Sequence, residues 1–193
     1  MFKHPDLIAQ VIDALEEVKT PAKQTFNARV VASPSMMDAV QADMGGCLPR
    51  LPRIINWAHR DEVNRTLGRA GAHWAIAFEQ KRLCEAGCPE LFQKLEWVSD
   101  TLGDGTGYDV VSHDALEKPR YIEVKTTNGG HGLSFVISPN QLEFATEHED
   151  AFYLYRIFQF DQAPKLYMLH GRIANRLHLE PINYRASFRR LRA

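Results

Sequence analysis

The hydrophobic pattern of this chain changes its period near Gly87, and this change constrains the fold more than any other feature. Over residues 61–86, side chains recur at helical spacing, with Ala72, Glu79 and Leu83 on one face. Beyond residue 87, short apolar runs alternate with turn residues, which is typical of strands. The order is a long helix, three strands, a fourth short strand, a helix and two closing strands. It predicts an α/β fold around a mixed central sheet.

Turn and capping residues set the bounds of these elements. Asp61 is expected to cap the long helix, which Gly87 and Pro89 would end. The runs LEWVSD, YDVVS and RYIEVKTT predict the three strands, and LSFVIS predicts the fourth. Ser138 and Gln141 have the spacing of a capping box, so SPNQLEFATEHE predicts the second helix. AFYLYRIFQF and KLYMLHG predict the closing hairpin.

The first 60 residues have a different pattern. Residues 5–18 place apolar side chains on one face after a Pro-Asp start, and a Met-rich stripe follows Ser33, so both stretches predict helices. A chain of 193 residues is long for one compact domain and short for two. We therefore predict a helical N-terminal extension over 1–60 and the main domain over 61–193.

Composition excludes a mostly disordered chain, because 45% of the residues are hydrophobic and 24% are charged. The apolar runs are too short to cross a membrane, and the N-terminus has no signal-peptide core. We expect a cytoplasmic protein without membrane contact. In that compartment Cys47, Cys84 and Cys88 are expected to be free thiols.

The net charge of -1 hides an asymmetry along the chain. Residues 48–69 sum to +3 and residues 165–193 to +6, on either side of an acidic middle. The last stretch carries four arginines, Arg185, Arg189, Arg190 and Arg192. Because the planar arginine fork suits phosphate, we expect these four residues to bind nucleic acid. A solvated C-terminal helix or tail explains the same charge equally well.

Two neighbouring strands carry a group of ionisable residues. Asp109 opens one strand, and Glu123 and Lys125 lie on the next after a short turn. Alternate residues of a strand share a face, so Glu123 and Lys125 point the same way. If the register pairs Asp109 with Glu123, all three side chains converge, whereas a slip of one residue would separate them. On an ordinary strand, Glu-x-Lys more often indicates a solvated face with a cross-strand ion pair.

This group contains the carboxylate ligands that a hard divalent cation prefers. Two carboxylates can hold Mg²⁺ or Mn²⁺ and leave positions for water and a phosphate oxygen. A neighbouring lysine can orient the attacking water or stabilise charge on phosphorus. The glycines at positions 103, 105 and 107 would let the backbone approach a bulky polyanion. The group therefore indicates a site for metal-assisted chemistry on a phosphate.

Several runs carry a family resemblance, namely NRTLGRAGAHWAIAFEQKRL, LEWVSDTLGDGTGYDVVS, RYIEVKTTNGG and SPNQLEF. Over residues 61–188 the chain resembles the C-terminal domain family of the plant protein NO VEIN. That family is similar in turn to the PD-(D/E)xK restriction-endonuclease-like fold. The resemblance implies that Asp109 and Glu123 are metal ligands and Lys125 the catalytic lysine. It also implies a Mg²⁺-dependent nuclease acting on DNA in bacterial restriction or defence, with a separately encoded helicase or ATPase as partner.

The long helix departs from the family pattern at one place. Members usually carry a Glu-Glu pair after the second glycine of this helix, where this chain has Ala72 and His73. Glu79 matches the second acidic position of the family on the same helix, and it lies on the face of Ala72. We expect Glu79 to point toward the end of the sheet that bears Asp109 and to act with the catalytic group. An ion pair at the helix edge is the alternative.

The remaining hypotheses concern binding. His131 follows Asn128-Gly129-Gly130 and is expected to contact phosphate near the site. Besides a nuclease, the sequence leaves open a catalytically inactive nucleic-acid-binding module of the same fold. It also leaves open a protein-interaction domain that docks a partner on its Met-rich N-terminal helices, as well as a homodimer.

Overall fold

The computed structural model describes residues 29–34, 57–102 and 105–181, although the side chains of residues 57–63, 100 and 102 are not included. The helices predicted over 5–18 and after Ser33 fall outside these residues. So do the four tail arginines, Arg185, Arg189, Arg190 and Arg192. Among the described helices, none combines the length and apolar character that crossing a bilayer requires.

The centre of the molecule is a six-stranded mixed sheet in the order β1-β6-β5-β4-β3-β2. Its strands are β1 Arg29–Val30, β2 Glu96–Trp97, β3 Val110–His113, β4 Pro119–Thr126, β5 Phe152–Phe158 and β6 Lys165–His170. The pairs β4–β5 and β1–β6 are parallel, and the other three pairs are antiparallel. The predicted α/β class with a mixed sheet is therefore confirmed.

Within the described ranges, three α-helices accompany the sheet. They are α1 Trp57–Glu85, α2 Val98–Leu102 and α3 Pro139–Glu147, with 3-10 turns at Pro89–Lys94 and Ile173–Asn175. The helix α3 connects the parallel strands β4 and β5. The predicted order of long helix, three strands, helix and closing hairpin is found.

The C-terminal end of α1 agrees with the prediction, and the N-terminal end does not. Gly87 has φ +77°, its N–H donates to the Cys84 carbonyl, and the Cys88 N–H donates to the Leu83 carbonyl. This is the Schellman arrangement that a glycine after the last turn predicts. At the other end α1 begins at Trp57, so the expected cap at Asp61 is wrong. The helix extends one turn further into the segment assigned to the N-terminal extension.

Two predictions about strands also need correction. The run LSFVIS forms no strand, because β4 is already paired with β3 and β5 and offers no edge to another strand. Its alternation instead places Phe135 and Ile137 against the core and leaves Val136 exposed. In addition, the region assigned to a helical extension contributes β1, which adds to the sheet beside β6.

Each face of the sheet has its own core. Ile122 and Val124 of β4 pack with Tyr155 and Ile157 against α1, which defines the α1 face. Tyr121 of β4 belongs to the second core, with Leu154 and the side chains of α3, which defines the α3 face. Strand alternation therefore assigns Glu123 and Lys125 to the α3 face.

Candidate functional site

The β3–β4 register decides whether the two carboxylates meet. Val110 pairs with Ile122, and Asp109 precedes Val110. The Asp109 N–H donates to the Ile122 carbonyl at 2.9 Å, and Asp109 Oδ2 accepts from the Val124 N–H at 2.8 Å. These two bonds lie on either side of Glu123, so Asp109 is opposite Glu123. Continuing the Val110–Ile122 pairing by one residue gives the register that the sequence hypothesis required.

The side chains of Glu123, Lys125 and Gln141 form a closed triangle of contacts. Lys125 Nζ lies 2.8 Å from Glu123 Oε1 and donates to Gln141 Oε1 at 3.0 Å. Gln141 Nε2 donates to Glu123 Oε1 at 2.6 Å. Glu123 is only 2% exposed, so its charge depends on these partners and not on water.

Gln141 is the member of this group that sequence reasoning missed. It forms the predicted capping box, since its N–H donates to Ser138 Oγ and its Oε1 accepts from the Ser138 N–H. Because the predicted capping box already accounted for Gln141, its contacts with Glu123 and Lys125 were not predicted from the sequence. The available signal was its place in the first turn of the helix that follows the Glu-x-Lys strand.

The glycine-rich turn before Asp109 packs directly on α3. Gly107 has φ +88°, and a Cβ there would lie 2.7 Å from Phe144 Cβ. Asn140 Nδ2 also donates to the Gly105 carbonyl at 2.7 Å. The turn thus brings Asp109 and the start of α3 into one rigid arrangement.

We expect Gly107→Ala to destabilise the protein by about 2–3 kcal/mol, because it combines a left-handed φ with overpacking against Phe144. Gly105→Ala is the matched control, since a Cβ at Gly105 meets nothing within 4 Å. Urea denaturation measures both variants. Equal stabilities would contradict the close packing of this turn on α3.

The donor set fits some metals and not others. Within the described ranges there is no group of three or more His, Cys, Asp or Glu residues that could hold a metal ion. The site therefore lacks an all-protein cage of the kind that structural zinc uses. Asp109 and Glu123 instead fit Mg²⁺, which is usually bound through one or two carboxylates and completes its shell with water and phosphate oxygens.

Glu79 does not join this site, so the expectation that it points toward Asp109 is wrong. Its side chain is fully buried, but it lies on the α1 face, whereas Glu123 and Lys125 lie on the α3 face. Its partners are Arg120 and Ser112, which pair with each other near the opposite end of β3 and β4 from Asp109. The sheet itself separates Glu79 from Glu123 and Lys125.

At that position Glu79 is the centre of a buried ionic network. Arg82 Nη2 lies 2.7 Å from Glu79 Oε2, and the Tyr155 hydroxyl donates to Glu79 Oε1 at 2.5 Å. Arg120 Nη2 in turn donates to the Tyr155 hydroxyl at 2.9 Å. Burial alone would raise the pKa of Glu79, but the hydrogen bond from Arg82 and the charges of Arg120 and Arg82 outweigh it and lower that pKa. The network joins α1 to β4 and β5.

His131 has structural partners within the fold. Its Nε2 lies 3.0 Å from the Ala32 carbonyl, and its ring contacts the rings of Phe158 and Tyr167. The imidazole therefore connects the segment after β1 with β5 and β6. Its predicted contact with phosphate stays a prediction.

A family model described as Protein NO VEIN, C-terminal, matches residues 72–169, which is about half of the chain. The chain belongs to this family. The match runs from α1 to the end of β6 and includes all four residues of the site, Asp109, Glu123, Lys125 and Gln141. No curated protein and no solved structure matches the chain.

The NO VEIN C-terminal match begins at Ala72, the position where the sequence resemblance leads us to expect an acidic residue. A Cβ on neighbouring Gly71 would lie 1.8 Å from Thr126 Oγ1, so α1 nearly touches β4 there. Position 72 is therefore near the Lys125 end of β4, and it carries a buried methyl group instead of a carboxylate. Among the α1 side chains that the structure describes, no acid takes its place.

Proposed function

We propose that this NO VEIN C-terminal domain hydrolyses phosphodiester bonds of DNA with Mg²⁺ or Mn²⁺. The observation that carries the proposal is the contact triangle of Glu123, Lys125 and Gln141 at the start of α3, with Asp109 opposite Glu123 just before β3. Two neighbouring carboxylates suit Mg²⁺, and an amine beside them is placed to stabilise charge on a phosphate.

Each residue has a definite role in this proposal. Asp109 and Glu123 would hold the ion, which supplies an activated water and neutralises charge on the phosphate. The Lys125 amine polarises the nucleophile or stabilises the charge that develops on phosphorus. Gln141 fixes both Glu123 and Lys125, which reduces the reorganisation needed during reaction.

The wider setting is part of the same proposal. A PD-(D/E)xK restriction-endonuclease-like arrangement is supported by the order of helix, three strands, helix and strand. We propose a role in bacterial restriction or defence in the cytoplasm. We also propose a separately encoded helicase or ATPase as its partner, and a homodimer as its assembly.

Asp109→Asn tests the metal-dependent reaction. We expect wild-type protein to cleave plasmid or single-stranded DNA only with Mg²⁺ or Mn²⁺, and Asp109→Asn to lose at least about 10²-fold in rate, because a ligand charge is removed. The matched control is Glu143→Gln, an exposed residue of α3 near Gln141, which should cleave like the wild type. Wild-type protein that fails to cleave with either metal would refute the proposal.

A nucleic-acid-binding module without catalysis is the second candidate. Two observations favour it: position 72 lacks an acid, and Glu79 contacts Arg82 and Tyr155 on the other face. Such a module binds DNA equally well in EDTA and in Mg²⁺ and does not cleave it. A protein-interaction domain would show neither metal-dependent cleavage nor affinity for DNA.

A further inference from the structure

Arg156 of β5 is a buried cation next to the candidate site. It is 2% exposed, and within the described part of the chain it makes no ion pair with Asp or Glu. It is directly opposite Lys125 of β4, so the two side chains share the α3 face. A buried charge with neutral partners costs free energy, and an apolar side chain of similar volume is often at least as stable. Packing alone therefore does not explain an arginine at this position.

The contacts of Arg156 lead to residues 127–138, which connect β4 with α3 and are hereafter the connecting segment. Arg156 Nη2 donates to the Leu133 carbonyl at 3.2 Å, and the guanidinium carbon lies 5.2 Å from the centre of the Phe135 ring. Arg156 also interacts with the hydroxyl of Tyr167, its partner on β6. Its Nε is buried without a hydrogen-bond acceptor among the described residues. Arg156 therefore fixes the middle of the connecting segment to β5.

The connecting segment ends beside the side chain that completes the candidate site. Three residues after the last of these contacts, Ser138 caps α3, and its N–H donates to Gln141 Oε1 at 2.9 Å. The same Oε1 accepts from Lys125 Nζ at 3.0 Å. The connecting segment contains no helix or strand, so its path depends on side-chain contacts such as those of Arg156. The position of Gln141 is therefore linked to Arg156 through the chain.

The charge of Arg156 also acts on Lys125. Like charges directly opposite each other on neighbouring strands repel, and burial reduces the screening of that repulsion by water. The Lys125 side chain is 18% exposed, so it is also largely removed from water. Repulsion disfavours positions of the Lys125 amine near Arg156, and it thereby favours the observed position, 2.8 Å from Glu123 Oε1.

We propose that Arg156 is a positioning residue of the candidate site. It fixes the connecting segment and restricts the Lys125 amine, so that Lys125, Glu123 and Gln141 keep their mutual contacts. Arg156 does not contact the substrate itself, because it is buried. Its effect on catalysis rests on the proposed function, whereas its effect on the position of Gln141 can be measured without cleavage.

Arg156→Met and Arg156→Lys test this role. The Met variant removes the charge and the hydrogen bond to Leu133, whereas the Lys variant keeps the charge and a donor. Arg172→Met is the matched control, because it removes the same charge from an exposed arginine that pairs with Glu149. Hydrogen exchange of the Ser138 N–H, followed by NMR without metal or DNA, reports its bond to Gln141. Single-turnover cleavage with Mg²⁺ and anisotropy in EDTA measure the rate and the affinity for single-stranded DNA.

In Arg156→Met, the Ser138 N–H should exchange at least about tenfold faster, because local opening of the cap becomes easier. Cleavage should be slower by about 10–10²-fold, the scale of a small misplacement of catalytic groups. The affinity for DNA should stay within about twofold of wild type, since a buried residue makes no phosphate contact. Arg156→Lys should keep both exchange and cleavage within about threefold of wild type, by retaining the charge. Arg172→Met should match the wild type in exchange and cleavage.

Folded Arg156→Met protein with the exchange and cleavage of the wild type would overturn the positioning role. So would an Arg156→Lys variant that is impaired as strongly as Arg156→Met, or a loss of affinity equal to the loss of cleavage. If Arg156→Met does not fold, Arg156→Gln supplies the same comparison. Wild-type protein that never cleaves with Mg²⁺ or Mn²⁺ would refute the proposed hydrolysis, and the exchange of the Ser138 N–H would then decide alone whether Arg156 positions Gln141.

Discussion

Lys125→Ala is expected to lower DNA cleavage by about 10²–10³-fold, the usual cost of removing one group that stabilises charge in a transition state. Affinity for DNA should stay within about fivefold of wild type, since a single ion pair near the surface is worth about 0–1 kcal/mol. The reason for the split is position: the Lys125 amine lies 2.8 Å from Glu123 Oε1, where the reacting phosphate would be bound. Single-turnover cleavage and anisotropy, measured on the same DNA, separate the two quantities.

Lys118→Ala is the control for this prediction, because Lys118 is an exposed lysine that directly precedes β4. It should cleave and bind like wild type. Thermal melting shows whether either variant is unfolded. A Lys125→Ala protein that is folded and cleaves at the wild-type rate would remove Lys125 from the mechanism, and equal losses of cleavage and affinity would make it a binding residue only.

The placement of Asp109 opposite Glu123 was predictable because it follows from strand alternation and a short turn. Asp114 Oδ1 accepts from the N–H groups of Leu116 and Lys118, which closes the turn that sets the β3–β4 register. Hydrogen bonds between a turn side chain and the nearby backbone can be predicted from the sequence. The sequence could not exclude a one-residue slip, and the packing of alternate residues on two cores does exclude it.

The wrong prediction for Glu79 shows that helical periodicity gives the face of a helix but not the position of a residue along the sheet. The pattern places Ala72 and Glu79 on one face of α1, and both are indeed buried. Seven residues of helix, however, advance about 10 Å, which equals about three residues of strand. Glu79 therefore meets the Arg120 end of β4 and not the Lys125 end. Periodicity also gives no information on which face of the sheet the helix covers.

Gln141 and the run LSFVIS also show that local sequence does not predict tertiary contacts. The contact of Gln141 with Glu123 depends on how α3 crosses back over the sheet, which no local pattern contains. The alternation in LSFVIS is real, but a strand also needs a free neighbouring edge, and β4 has none. Local sequence gives the type of an element with some success, whereas its partners depend on the whole topology.

Glu79→Ala is expected to destabilise the protein by about 3–5 kcal/mol, the usual cost of removing one partner from a buried ion pair. The substitution leaves Arg82, Arg120 and the Tyr155 hydroxyl around an uncompensated cavity. Urea denaturation at neutral pH measures the loss. Glu85→Ala is the control on the same helix, since Glu85 is an exposed partner of Lys81 at 3.8 Å, and it should cost at most about 0.5 kcal/mol.

If Glu79→Ala does not fold, Glu79→Gln supplies the measurement, because the amide keeps the shape and part of the hydrogen bonding. A loss below about 1 kcal/mol in both variants would contradict the central role of Glu79 in joining α1 to the sheet. Catalysis provides an independent check: folded Glu79→Gln protein should cleave DNA at the wild-type rate, since Glu79 lies on the other face from Lys125.

The dependence of this stability on pH follows from the lowered pKa of Glu79. The carboxyl binds a proton more readily in the unfolded chain than in the folded protein, so its charge stabilises the fold fully above the ordinary value of 4.5. That contribution shrinks as the pH falls toward the lower pKa of the folded state. The difference in unfolding free energy between wild type and Glu79→Gln should therefore be largest near pH 7 and decline below pH about 4.5. A difference that stays constant down to pH about 3 would mean that Glu79 is not held as a charged group by Arg82 and Arg120.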